Sequence, residues 1–370
     1  MRFGSAIVCL VKTPTLLDQP PRMAALDPSG MLQNILDIPF HCQDARYRVL
    51  NHPPKLNSKK IRHVVIAGLG GSAIGGDILR TLLWKTTTFS LSINRHYELP
   101  GWAGKDSLVV CSSYSGNTEE TLSVFKQALQ RKAQVLVVSS GGELLAQAKK
   151  KKLPFCQVPG GLPPRAAAPG YSFMTLLTAF ESVGLIRSYE EDFQESMGLL
   201  IELARQYGQM NPTAKNLAKQ LALFLYGKLP LLYAGQDHFE SVALRWRGQL
   251  NENSKQVAMM NMVPEMNHNE ILGFTHKDPL LKKTGVVLLR HPQGDHPQIQ
   301  KRFEILKGVL ASKVAGVREV KAQGRSLLAQ MLSVIYLGDF VSLYLAYLKG
   351  LDPTEMGLIE ELKKKLSRHQ

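Results

Sequence analysis

Three stretches in the first half of the chain share one pattern: a short unbroken apolar run, a break of small and polar residues, then apolar positions three and four apart. They are HVVIAGLGGSAIGGDILRTLL (63–83), DSLVVCSSYSGNTEETLSVFKQAL (106–129) and AQVLVVSSGGELLAQAKK (133–150). The runs predict strands buried on both faces, and the spaced positions predict amphipathic helices. Such alternation makes a parallel sheet covered by helices. The second half repeats the pattern in LPLLYAGQDHFESVALRWRGQL (229–250), TGVVLLRHPQGDHPQIQKRFEIL (284–306) and VREVKAQGRSLLAQML (317–332), and LLAQ recurs at 144–147 and 327–330. The fold class expected is therefore α/β, with two doubly wound subdomains, parallel sheets flanked by helices, related by internal duplication.

Between the halves, residues 174–209 are apolar at helical spacing and predict connecting helices broken at Gly184, with a boundary near Asn211 and Pro212. Residues 27–49 read as a capped amphipathic helix on the first subdomain. The division expected is a tail over 1–26, a first subdomain with its connecting helices over 27–210, and a second over 211–370. The tail has an early Arg2 and a short apolar stretch but no convincing cleavage site, so it reads as a floppy tail, or as the result of a start codon placed too early, rather than as a signal peptide. The longest apolar segment, 331–348, is interrupted by Gly338 and Asp339 and falls short of the roughly 20 residues a membrane span needs. It reads as a buried core helix.

Composition narrows the class further. With 370 residues, 44% hydrophobic and 20% charged, the chain is long enough for two cores and too apolar for disorder. Cys9, Cys42, Cys111 and Cys156 form no C-x-x-C pair, which fits a reducing, cytoplasmic setting. The net charge of +15 is compatible with nucleic acid, a membrane surface or a small anion. The basic runs at 149–152 and 363–365 lack interleaved aromatics and read as solvated faces, so neither nucleic acid nor membrane is expected as a partner.

The first break, read from Gly68, spells G-x-G-x-x-A (Gly68, Gly70, Ala73), one form of the dinucleotide fingerprint. Yet the second strand ends in Asn94 and Arg95 instead of the acid that binds a ribose. That leaves only an NADP-binding oxidoreductase among the nicotinamide readings. The second break, SSYSGNTEET, gathers Ser113, Ser115 and Thr118 around Gly116 where a helix begins. Several hydroxyls with unpaired N–H groups at a helix N-terminus make a cup for a phosphate monoester. The bland alternative is a capping box, Ser115 with Glu119 close behind, which would need a single hydroxyl.

GLGGSAIGGD, SSYSGNTEET, GGLPPRAAAPG, LNENSK and PEMNHNEILGF, in this order, resemble the bifunctional phosphoglucose/phosphomannose isomerases of the sugar isomerase (SIS) domain superfamily, from about residue 27 onward. The resemblance implies two SIS subdomains, a homodimer with active sites near its interface, a sugar-phosphate substrate, and neither metal nor nucleotide cofactor. It implies that Gly70, Gly71 and Ser72 lie along the sugar and that Ser113, Ser115 and Thr118 hold the phosphate. It also implies aldose–ketose isomerisation of glucose 6-phosphate and mannose 6-phosphate to fructose 6-phosphate through an enediol. Glu252 would be the base, His268 the ring-opening acid/base, Arg165 the source of positive charge, and a C-terminal lysine, Lys363, the completing group beside Lys364 and Lys365. Each has a plainer reading: Glu252 as a solvated acid between asparagines, His268 as a surface loop histidine, Arg165 as part of a proline-stiffened turn. His268 with Glu270 is also a sparse metal pattern that lacks further ligands at fixed spacing. A non-catalytic SIS sensor of sugar phosphates would need the two breaks but not Glu252, His268 and Arg165 together.

Overall fold

A computed structural model describes residues 15–366; Cys9 and the start of the tail lie outside the described residues. From Leu16 the segment read as a tail is packed. A 3-10 turn (Leu16–Asp18) and helix α1 (Pro20–Ala25) bury Leu17 and Met23. The Asp18 carboxylate accepts from Thr213 N and Oγ1, both at 2.8 Å, and sits 3.7 Å from Lys219 Nζ. A buried ammonium and a helical turn of the second half thus hold down the first described residues.

The helix expected over 27–49 is two helices, α2 (Met31–Leu36) and α3 (Ile38–Asn51). Asp27 starts α2 by accepting from Met31 N and Leu32 N at 2.7 and 2.8 Å. Pro39, which has no N–H to continue an earlier turn, forces the restart at α3. Then follow β1 (His63–Ala67), α4 (Gly70–Leu82), β2 (Ser90–Asn94), β3 (Ser107–Ser112), α5 (Glu119–Gln130), β4 (Gln134–Ser139), α6 (Gly142–Lys150) and β5 (Phe155–Gln157). These five strands form one parallel sheet in the order β2-β1-β3-β4-β5.

The connection runs through α7 (Pro164–Ala167), a π-helical segment (Ala168–Met174), α8 (Thr175–Ser182), a turn at Gly184 with φ +67°, and α9 (Glu190–Tyr207). The second half is α10 (Leu217–Leu225), β6 (Leu229–Gly235), α11 (Glu240–Ser254), β7 (Met259–Val263), β8 (Thr284–Arg290), α12 (Pro297–Ala311), β9 (Gly316–Lys321), α13 (Leu327–Leu348) and α14 (Gly357–Leu366). Its four strands are again parallel, in the order β7-β6-β8-β9. Strands β6, β8 and β9 take the places of β1, β3 and β4, as the repeated pattern implies, and β7 takes that of β2. Strands β5 and β7 carry no marked period and are visible only in the fold.

The two halves meet through α4 and α11, which run antiparallel. Arg80 near the end of α4 pairs with Glu240 at the start of α11 at 3.0 Å, and Thr81 and Ser241 share a 2.6 Å hydrogen bond. Behind them lies α13, packed on α9, α10 and α11. It is the one helix among the described residues long and apolar enough to cross a membrane, and 94% of its most apolar window is buried inside the fold. Gly338 explains the close approach of α13 to α11: a Cβ there would stand 2.4 Å from Trp246 Nε1.

Candidate active site

In a parallel sheet whose strand order reverses between two neighbours, the loops above them diverge and leave a crevice. In the first sheet that point is β1/β3, and both glycine- and serine-rich breaks lie there. The β3–α5 loop is locked by Gly116, with φ +73°. A Cβ on it would fall 1.9 Å from Gly141 O, and its own carbonyl accepts from Leu144 N at 2.9 Å. Ser113 is buried and shares a 2.8 Å hydrogen bond with Thr118 Oγ1, while its Oγ also accepts from Gly116 N at 3.1 Å. Ser115 is exposed and its Oγ accepts from Asn117 N at 3.3 Å.

The capping reading of this loop finds no bond to support it. Helix α5 has Thr118 at its N-cap, in extended geometry, and no side chain caps it. The Thr118 side chain makes no cap bond to the first turn of α5, and an uncapped helix N-terminus is an arrangement that attracts an anion. The β1–α4 loop lies beside it: Ser72 Oγ accepts from Tyr114 N at 3.0 Å. The glycines of that loop divide the work. At Gly68 and Gly75 a Cβ would strike Ser112 O and Ser172 Oγ, at 2.7 and 2.3 Å, so these two permit backbones to close up. Gly70, with φ +50°, has nothing within 4 Å of its Cβ position and faces open space.

That space is a cleft of about 230 Å³, lined by Gly70, Gly71 and Arg95 on one wall and by Arg245, Gln249 and Glu252 on the other. Because α4 and α11 are antiparallel, the last turns of α11 hang over the first turn of α4. Glu252, with a third of its side chain exposed, sits there, where the helix dipole disfavours an anion. The compensating charge is Arg165 in the short helix after Pro163, 2% exposed, whose Nη1 lies 3.6 Å from Glu252 Oε2. Burial pushes the Arg165 guanidinium down from its ordinary value, against the pull of Glu252. Its Nη2 donates to Pro353 O at 3.0 Å, its carbonyl accepts from Arg245 Nη2 at 2.7 Å, and its Nε is buried without a partner.

The other sequence-marked residues are placed differently. Lys363 lies on α14, which begins four residues beyond the Pro353 carbonyl that Arg165 grips; its side chain is outside the described residues. Lys365 is exposed and paired with Glu361 at 2.6 Å. His268 is exposed, just past the C-terminal end of β7. That end neighbours the start of α11, and Glu252 lies twelve residues further along, about 18 Å at helical rise. The fold does not bring His268 and Glu252 of one chain together. Glu270 is committed elsewhere: its carboxylate accepts from Tyr233 Oη at 2.6 Å and from Asn261 Nδ2. Among the described residues no acidic, histidine and cysteine side chains cluster as a metal site. Arg95, read as room for a 2'-phosphate, is bound instead to the buried carboxylate of Asp77.

The second sheet has its own crevice at β6/β8, about 480 Å³, under Arg80 and Trp84 at the end of α4. It lacks the cup. His296 caps α12 by accepting from Gln298 N at 3.2 Å, Pro297 removes an N–H, and Asp237 and Glu240 contribute negative charge. The duplicated frame therefore presents one hydroxyl cup. A roomier cavity of about 940 Å³ along β5 is lined by none of the candidate site residues.

Sequence reading passed over Arg245 and Gln249. They stand seven and three residues before Glu252, on the same face of α11, and that spacing was the available signal. Two parallel α/β units built on one plan, with a hydroxyl-lined loop at the first switch point and an acid and an arginine facing it, define the class: a SIS-domain protein of the phosphosugar-isomerase type. Residues 214–366 match the family described as bacterial phospho-glucose isomerase C-terminal SIS domain. The fold is similar to a solved hypothetical protein of Thermus thermophilus, with TM-score 0.73 at 17% identity over 96% of this chain and 94% of that one. The bifunctional phosphoglucose/phosphomannose isomerase of Caldicellulosiruptor bescii is 41% identical over 91% of this chain and 99% of its own length. That of Aquifex aeolicus is 35% identical over 83% and 91%. The chain belongs to the bifunctional phosphoglucose/phosphomannose isomerase family.

Proposed function

We propose that the chain interconverts glucose 6-phosphate and mannose 6-phosphate with fructose 6-phosphate. The observation that carries this reading is the Arg165–Glu252 pair facing Gly70 and Gly71 across the cleft, beside a hydroxyl cup. Isomerisation moves one proton between C1 and C2. Glu252 takes it from C2 of the aldose, an enediolate forms beside the Arg165 charge, and the Glu252 carboxylic acid returns the proton to C1. No electron leaves the substrate, so the reaction requires no redox cofactor. The two aldoses differ only at C2 and collapse to the same enediol. Ser113, Ser115, Thr118 and the N-terminus of α5 hold the phosphate, and Gly70, Gly71 and Ser72 lie along the sugar. A non-catalytic sensor would have no use for an acid and a buried arginine placed across from the sugar.

Ring opening is assigned to His268, and Lys363 completes the site from α14. Because His268 stands far from Glu252 of its own chain, the reading includes a homodimer in which each site draws its histidine from the second copy. A direct test follows. Chains carrying Glu252→Gln and chains carrying His268→Ala are each expected to be nearly inactive, and an equal mixture, unfolded and refolded together, should regain about a quarter of wild-type activity. Half of the dimers are then hybrids, and each hybrid has one intact site. A mixture no better than its parents would place His268 outside the partner's site.

The activity itself is tested by supplying purified protein with each sugar phosphate and no added metal or nucleotide. Formation of fructose 6-phosphate from both is expected. Dependence on NADP or zinc, or binding without turnover, would overturn the assignment.

A further inference from the structure

The apolar helix α13 carries a single charged residue, Asp339, and it is wholly buried. A carboxylate in such a place costs several kcal/mol unless paired, and a buried pair is often no more stable than an apolar one. Docking of α13 on α11 is already secured without it. Gly338 allows the close approach, Trp246 Nε1 donates to Val334 O at 2.7 Å, and Ser342 bonds both Asn253 Nδ2 and Ser254 Oγ through its hydroxyl and carbonyl, at 2.9 and 3.0 Å. The charge needs another explanation.

Asp339 faces Arg245, whose Nε and Nη2 lie 3.1 and 3.3 Å from its two oxygens. The same Nη2 donates to the carbonyl of Arg165 at 2.7 Å, and the Arg165 guanidinium reaches Glu252. Arg245 lines the cleft on the face of α11 that carries Glu252. We propose that Asp339 is a positioning residue of the isomerase centre: it fixes and neutralises Arg245, which clasps the Arg165 backbone and so sets the Arg165–Glu252 pair. Without the Asp339 charge, Arg245 would repel Arg165 in a dry environment. With it, the positive charge of Arg165 is left for Glu252 and for an enediolate. The inference rests on the function proposed above.

The test uses steady-state kinetics with fructose 6-phosphate, after the wild type has been shown active; an inactive wild type would sink the function and not this inference. Asp339→Asn keeps shape and one acceptor but leaves Arg245 unpaired. Its kcat should fall at least about tenfold, as sub-ångström displacement of reacting groups does, with KM within about twofold because the phosphate cup is untouched. The double substitution Arg245→Met with Asp339→Leu removes both charges and keeps volume. If the pair served folding alone, this variant would match or exceed the wild-type Tm and recover full kcat. We expect the Tm to recover while kcat stays at least about tenfold low, since the Arg165 carbonyl has lost its donor. Wild-type kcat in the double variant, or a rise in KM as large as the fall in kcat in Asp339→Asn, overturns the assignment. Should Asp339→Asn fail to fold, the double variant decides alone.

Discussion

Glu252→Gln is expected to bind substrate almost as the wild type does and to lose turnover by about a hundredfold or more. The amide keeps the size of the carboxylate and can still meet Arg165 across 3.6 Å, but it cannot carry a proton from one carbon to the next. Binding is expected to survive because the proposed phosphate site lies in the separate elbows above β1 and β3. A companion measurement comes from the wild type in deuterium oxide. A proton resting on a carboxylate one-third exposed exchanges with solvent, so deuterium should enter the product at C1 or C2. Complete retention of substrate hydrogen would point to hydride transfer or a shielded base. Near-normal turnover by Glu252→Gln would falsify its role, and Glu270, held by Tyr233 and Asn261, is not placed to take it over.

The second large effect concerns affinity. Ser113→Ala with Thr118→Ala should raise the KM for every phosphosugar by about a hundredfold or more, with kcat changed far less. Hydrogen bonds to a charged group are worth about 1.5–3 kcal/mol each, and two of them are lost. The phosphate takes no part in the proton transfer, so it is held equally in ground and transition states, and its loss appears in KM. Titration with the phosphosugar gives the same quantity directly. Unchanged affinity would mean that the Ser113–Thr118 bond only braces the loop around Gly116.

Much of this site was legible because its parts are local. A hydroxyl cup is a run of consecutive residues between a strand and a helix, and both the run and the strand–helix period can be read along the chain. The repeated strand–helix units were legible for the same reason: each declares itself by its own apolar spacing. Short edge strands were not. Phe155–Gln157 is too brief to show a period, and Met259–Val263 is only partly buried at its start, so pairing with β4 and β6 makes them strands.

What the sequence by itself determined is thus the two-unit α/β plan, the cup of Ser113, Ser115 and Thr118, and the motifs that mark the family. The tertiary structure alone decided which distant side chains meet. The antiparallel packing of α4 and α11 puts Glu252 over Gly70, the turn after Pro163 brings in Arg165, and α13 delivers Asp339 to Arg245. It also decided that His268 stands at the end of α11 remote from Glu252 of the same chain. The reason is physical. Periodicity encodes which face of an element is buried, whereas the partner of a buried charge is set by the shapes of helices that pack against each other from remote parts of the chain.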